Sequence, residues 1–261
     1  MKFYATLLVA LLVLTGCKKD TEEKTETAPE TPTAIAFGPK EYEKKTTLPC
    51  KEICTYVNIS VPNATGPKVA ADSINNKIFN TVRSIVYFGE KPTNAKNYED
   101  LMASFIQSYE ELAKKFPDDA MSWEAKIKAT VDYKTDSIIN IKLHNYMFTG
   151  GAHGYEGDRS LLFSPQTGKS LTYADIFKDE AAFTTFVEQK FRAKYKIPAN
   201  RSINATGLMF ENEKFALPQN IFFRENGILL YYNAYEVAAY AEQQKEILIS
   251  YSEADAYLRL K

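Results

Sequence analysis

Apolar positions recur along this chain with two periods, about two and about three and a half residues, and each marks a different kind of element. Thr55, Val57, Ile59 and Val61 alternate with Tyr56, Asn58 and Ser60, which predicts a half-buried strand that Pro62 ends. Pro67 then suits a helix start, and Ile74, Ile78, Val82, Ile85 and Val86 follow a helical stripe. A second stripe, Leu101, Phe105, Tyr109, Leu112 and Phe116, has Glu99 and Asp100 near its start and Pro117 after it. Period two returns in Trp123, Ala125, Ile127, Ala129, Val131 and Tyr133, alternating with polar partners. That alternation places Trp123 in the core rather than on a sugar-stacking surface. A turn over Lys134 to Ser137 leads to a strand with Ile139, Ile141 and Leu143 inward, leaving His144 on the polar face and exposed.

The second half mixes the same elements. Arg159 to Phe163 reads as a strand, and Pro165-Gln166-Thr167-Gly168 as a turn. Phe183, Phe186, Val187, Phe191 and Tyr195 make one helix face, with Pro198 beyond it. Ile221 to Arg224, Asn226-Gly227 and Ile228 to Tyr232 spell a hairpin, and Glu246 to Tyr251 a final strand. Ser252 with Asp255 resembles a capping box that opens a short last helix. Hairpins with helices outside their alternation predict an α+β fold: antiparallel sheets with helices packed on them, in two consecutive subdomains, 38–150 and 151–261. No Gly-rich phosphate loop follows a strand, so a doubly wound nucleotide fold finds no support.

The N-terminus changes the setting. Lys2, the aliphatic run Leu7 to Leu14 and then Leu14-Thr15-Gly16-Cys17 are too short for a membrane span, which needs about 20 apolar residues. They read as a signal peptide, 1–16, whose small residues before Cys17 match a bacterial lipobox, so that Cys17 carries lipid. Residues 17–37, rich in Lys, Thr and acidic groups, are a flexible tether of roughly 25 Å as a coil. Lys18 rather than Asp favours the outer membrane, and the acidic run Asp20, Glu22 and Glu23 resembles export signals of some surface lipoproteins.

Charge then narrows the partners. Setting aside four Lys and five acidic residues of the first 37 leaves 28 of each sign, so no basic excess points to nucleic acid. Cys50 and Cys54 are an even pair in an oxidising compartment and are expected to form a disulfide. Extended residues four apart would hold their Cα atoms about 13 Å apart, so the chain must turn between them. His144 and His153 are nine residues apart, unlike zinc-finger spacing, and no metal or other cofactor is expected.

Two clusters carry candidate chemistry. In Thr149-Gly150-Gly151-Ala152-His153-Gly154, Gly151 and its neighbours free the backbone, and His153 is the one acid–base group. It is either a binding loop or a turn that the His pins. Tyr231 to Tyr240 brings Tyr232, Asn233, Tyr235, Glu236 and Tyr240 together as a recognition surface. Alternatively, Glu236 and Asp175 are the two carboxylates of a glycan hydrolase. No G-x-S-x-G elbow occurs, and no catalytic residue is assigned.

At Tyr146 to Gly154 (YMFTGGAHG), Thr167 to Phe177 (TGKSLTYADIF) and Leu230 to Ala241 (LYYNAYEVAAYA) the chain resembles a known family. It is similar to the paired domains of unknown function in the extracytoplasmic part of RsiV-type anti-sigma factors, which also precede the catalytic module of the peptidoglycan deacetylase PdaC. The resemblance spans roughly Tyr42 to Leu260 and implies an α+β pair of domains and, in the RsiV branch, direct binding of lysozyme. Neither a sigma-binding segment nor a deacetylase module is recognisable, and Ala234 and Ala239 stand where the family motif often has Pro. The expectation is a membrane-tethered envelope module binding a lysozyme-like protein or peptidoglycan-related glycan, with acidic Glu156 and Glu236 beside the Tyr-rich segment. Its alternatives are the hydrolase and a non-catalytic structural lipoprotein.

Overall fold

The computed structural model describes residues 34–50, 52–117 and 120–260. The expected signal peptide, the Cys17 expected to carry lipid and most of the expected tether lie outside them. The described residues fall in one compact unit, Pro32–Lys261. Among them, no helix is long and apolar enough to cross a membrane.

A five-stranded sheet holds β1 (Ala36–Lys45), β2 (Tyr56–Thr65), β3 (Glu124–Lys134), β4 (Ile139–Phe148) and β5 (Tyr155–Phe163) in sequence order. All neighbours are antiparallel except β2 and β3. That pair is parallel because α1 (Lys68–Arg83) and α2 (Tyr98–Lys115) intervene, and a crossover of such length is what a parallel neighbour needs. The helical stripes and the inward residues of β2 to β4 share one core around Ile74, Ile78, Phe105 and Trp123.

A three-stranded antiparallel sheet follows: β6 (Asn220–Arg224), β7 (Gly227–Tyr232) and β8 (Lys245–Ser250). Short α3 (Tyr173–Ile176), α4 (Glu180–Lys194) and short α5 (Tyr251–Ala254) surround it. Phe183, Val187 and Phe191 of α4 pack with Ile228, Leu230 and Tyr232 in a second core. The α+β architecture expected from the sequence is therefore present. The first sheet continues through β5, past the expected division at 150/151, and β5 serves both cores: Leu161 and Phe163 face the first, Leu162 the second.

Five local expectations need correction. The tether was expected to reach residue 37, but β1 begins at Ala36, with Ile35 buried before it. β2 runs past Pro62 to Thr65: Pro62 lies opposite Pro39 of β1, and β3 pairs with β2 only as far as Ser60. Facing prolines fit a non-hydrogen-bonded pair of an antiparallel ladder, so no bond is missed. Tyr133 leaves the alternation because a bulge at Asp132 shifts the register between Val131 and Tyr133, turning the ring onto Phe223 in the second core. In the β6–β7 hairpin the central turn residues are Glu225 and Asn226; Gly227 (φ 149°) opens β7, where a Cβ would come within 2.2 Å of the Ile249 carbonyl oxygen.

The last capping box also sits two residues earlier than Ser252/Asp255. Ser250 Oγ donates to Glu253 Oε2 at 2.7 Å, and Lys190 Nζ lies 2.5 Å from Glu253 Oε1. The Lys190 hydrogen bond first, then those from Ser250, holds the Glu253 carboxyl down to about 2, below its ordinary 4.5. A depressed carboxylate stabilises the fold above its unfolded value and loses that contribution as pH falls through the folded one. The melting temperature of Glu253→Gln is therefore expected below wild type at pH 6, with the gap closing between pH 4.5 and pH 2. Cys50 and Cys54 are bridged, with Cα atoms 5.2 Å apart.

Candidate functional site

β5 is an edge strand, and side chains rather than another strand occupy its outer backbone. Asp158 N donates to Asn233 Oδ1 at 2.8 Å, and Asn233 Nδ2 donates to Asp158 O at 2.9 Å. A carboxamide carries the same donor and acceptor as a peptide group, so Asn233 bonds to the edge as a strand residue would. Ser160 N likewise donates to Asn220 Oδ1 at 3.0 Å. Asn140, fully buried, completes the join: it accepts from Phe223 N at 2.7 Å and donates to Ser160 Oγ at 3.0 Å. The segment after β7 is thus clamped on the end of the first sheet.

Glu236 holds that clamp in shape. Its Oε2 accepts from Asn233 N at 2.9 Å and its Oε1 from Gln219 N at 3.0 Å. Asp175 does the same for α3, where Thr172 N and Thr172 Oγ1 donate to its Oδ2 at 2.8 and 2.7 Å. Hydrogen bonds from the Thr172 side chain, then from its backbone, lower the Asp175 carboxyl below its ordinary range. Asp175 is also absent from the residues lining the groove that Glu236 borders. The Glu236/Asp175 hydrolase reading is therefore set aside: both carboxylates accept backbone cap hydrogen bonds, and the two do not share a cleft.

On one side of the Asn233–Asp158 bridge lies a cleft of 410 Å³ lined by His144, Glu156, Asp158, Tyr231, Asn233 and Tyr240. Its floor is a charge chain across the β4–β5 register, in which His144 faces Asp158. Lys142 Nζ is 2.9 Å from Asp158 Oδ2, His144 Nδ1 is 2.9 Å from Asp158 Oδ1, and His144 Nε2 is 4.0 Å from Glu156. Burial, then the charges of Asp158, Glu246 and Glu156, pushes the Tyr231 hydroxyl up to about 12, so it is a donor at neutral pH.

The rim is aromatic. The His153 ring stacks on Tyr240 at 4.5 Å and 11°, and Tyr240 stacks on Tyr235 at 5.2 Å and 27°. Tyr235 is 55% exposed and Tyr240 37%. Tyr235 also sits at φ 69°, a left-handed backbone that a non-glycine residue adopts only when its surroundings hold it there. On the opposite loop, Gly150 and Gly151 take φ 105° and 94°, which lets the chain turn and present His153. His153 Nδ1 lies 2.9 Å from the Gly154 carbonyl oxygen, so the ring is both pinned and stacked.

Of the residues singled out from sequence, His153, Tyr235 and Tyr240 meet in this stack, while Asn233 and Glu236 support it. Gly151 shapes the His153 loop and touches nothing where a Cβ would stand. Tyr232 is a correction: period two on β7 turns it inward, where it packs against Phe191 and Phe210 and donates to Ala216 O at 2.7 Å. His144, Lys142 and Asp158 were missed as a group. The missing signal was the β4–β5 register, which alone makes neighbours of residues sixteen apart or fewer on separate strands.

Comparison with known proteins bears on the fold. Residues 49–156 match the family model described as deacetylase PdaC, and residues 174–252 match that of a protein of unknown function (DUF3298). No curated protein matches the chain. Among solved structures, a DUF3298-family protein from Bacteroides fragilis is similar at 20% identity and a TM-score of 0.68, over 87% of this chain and 95% of that one. A DUF3298-family protein from Pseudomonas aeruginosa is similar at 19% identity and a TM-score of 0.61, over 86% and 94%. These likenesses show a shared fold, and the two family matches indicate an extracytoplasmic, envelope-associated domain. The chain carries the paired arrangement expected from its motifs: a PdaC-type segment followed by a DUF3298 segment.

Proposed function

We propose that this protein is a membrane-tethered binding module of the bacterial envelope that takes a lysozyme-like protein or a peptidoglycan-related glycan on the His153–Tyr240–Tyr235 rim. The observation that carries this reading is the exposed ring stack over a cleft floored by carboxylates. Tyr rings offer apolar area at low entropy cost and suit either a protein anchor or a sugar face. Glu156 and Glu242, both with side chains 66% exposed, border the rim and complement a cationic partner despite a neutral net charge.

Calorimetric titration of residues 32–261 with lysozyme and with soluble peptidoglycan fragments tests the reading. Replacing Tyr235 and Tyr240 with Ala together is expected to weaken binding at least about tenfold, as anchor truncations do. Undiminished binding by that variant would overturn it. Anchoring is tested separately. Cys17→Ser is expected to move the protein from the membrane to the soluble fraction, and unchanged fractionation would contradict the lipid anchor.

A further inference from the structure

The opposite side of the Asn233–Asp158 bridge holds polar groups that the clamp and the ring stack leave unused. Along β5, the side chains of Tyr155 and Arg159 alternate with those of Glu156 and Asp158 and so face away from the carboxylate cleft. Beside them on β4 stands Asn145, directly across from Gly157. Asn145, Tyr155 and Arg159 line a groove of 260 Å³ shared with Gln219, Tyr235 and Glu236. The same three residues line an adjoining hollow of 520 Å³ that reaches Tyr87 and Phe88.

Two observations there point to a ligand. Asn145 is only 3% exposed, yet its carboxamide has no hydrogen-bond partner among the described residues. The Arg159 side chain has neither ion pair nor hydrogen bond among them, and its Nε is sealed from solvent with no acceptor in reach. Asn140 and Asn233, by contrast, each use both the oxygen and the nitrogen of the carboxamide. A nearly buried carboxamide with neither atom bonded and an unpaired guanidinium thus line one groove, and buried polar groups are costly to leave unmatched.

We infer that this groove binds a carboxylate, held by the terminal guanidinium nitrogens of Arg159 and the carboxamide of Asn145. The planar guanidinium matches a carboxylate in shape and charge, and the Asn N–H adds a further donor beside it. Tyr155, Tyr235 and Phe88, each more than a third exposed, wall the space on either side and suit the less polar remainder of the ligand. Glu236 on the rim has both oxygens taken by backbone N–H groups, and its charge disfavours a second anionic group. The ligand is thus a single carboxylate on an otherwise neutral body, the chemistry of a peptide C-terminus or of a sugar acid. This inference goes beyond the proposed partner of the ring stack and stands or falls without it.

Calorimetry on residues 32–261 with two matched pairs tests it: N-acetyl-alanyl-alanine against its C-terminal amide, and glucuronic acid against glucose. At least one acid is expected to bind ten or more times tighter than its neutral counterpart, and which acid does so identifies the source of the carboxylate. Arg159→Gln is expected to abolish that preference, and Arg159→Lys to restore part of it. Thermal melting establishes that each variant is folded, and Asn145→Ser serves as a second, milder variant expected to lose several-fold. Equal affinity for acid and neutral forms, absence of binding by either acid, or a preference that survives Arg159→Gln in a folded protein would overturn the inference.

Discussion

Asn233→Ala is expected to lower the unfolding free energy by about 2–5 kcal/mol, the cost of leaving two part-buried backbone groups of Asp158 without partners. The loss should exceed that of an ordinary surface substitution, because the carboxamide is what fastens the Tyr231–Tyr240 segment to β5. The Glu236 turn keeps its own bonds to the backbone of residues 233 and 219 but is no longer fastened to β5, so the Tyr235–Tyr240 stack should loosen even in molecules that remain folded. Denaturant unfolding of the purified variant checks the energy. Asn233→Asp separates the two bonds, since it keeps an acceptor for Asp158 N but loses the donor to Asp158 O. A change of less than about 0.5 kcal/mol in Asn233→Ala would place the fastening elsewhere.

Trp123→Ala should be costlier still, at about 3–5 kcal/mol, the usual range for a large aromatic removed from a core. Trp123 is 1% exposed and packs against Phe88, Phe105 and Tyr109, with ring centroids 4.4, 5.5 and 5.6 Å away. Its backbone N–H donates to Thr55 Oγ1 at 2.7 Å, and Tyr56 N donates to its carbonyl, so the residue also seats β2 beside β3. The same variant is expected to leave partner binding unchanged at temperatures where it is folded, because the ring faces no open surface. Urea melts supply the first quantity and titration of the folded variant the second.

That Trp123 belongs to the core was legible from strict alternation alone, as were α1, α2, α4 and the β6–β7 hairpin. The helices and the strand after Trp123 each bury one face, and a buried face leaves a period in the sequence; the hairpin, buried on both faces, shows instead as two apolar runs around Asn226-Gly227. β1 left none. It is an edge strand whose residues are mostly exposed and charged, with Pro39 inside it, and it is held by main-chain pairing that any sequence can supply. Tyr133 misled for a related reason: the period was correct up to Val131, and one bulged residue then reversed it.

The candidate site divides the same way. His153, Tyr235 and Tyr240 stood out because glycines and clustered aromatics are unusual wherever they lie. Their contacts across the loop were not legible, since residues 153 and 240 meet only after both sheets have formed. Asn233, Asn220 and Asn145 are ordinary polar residues in sequence. Their differing roles arise from depth and register, and the first two meet backbone where the third meets a groove. Glu236 and Asp175 show the converse: carboxylates that look catalytic in a list of residues are spoken for once the neighbouring amides are in place.

The measurement that tests the central claim most directly is an NMR titration of residues 32–261, with Tyr and His rings isotopically labelled, against lysozyme and against soluble peptidoglycan fragments. The account predicts that one of these ligands shifts the ring signals of Tyr235, Tyr240 and His153 together. The core ring of Tyr232 should stay in place, and for lysozyme the affinity should fall as salt rises. Shifts confined to other surfaces, or no shift with either ligand at low and physiological salt, would contradict it.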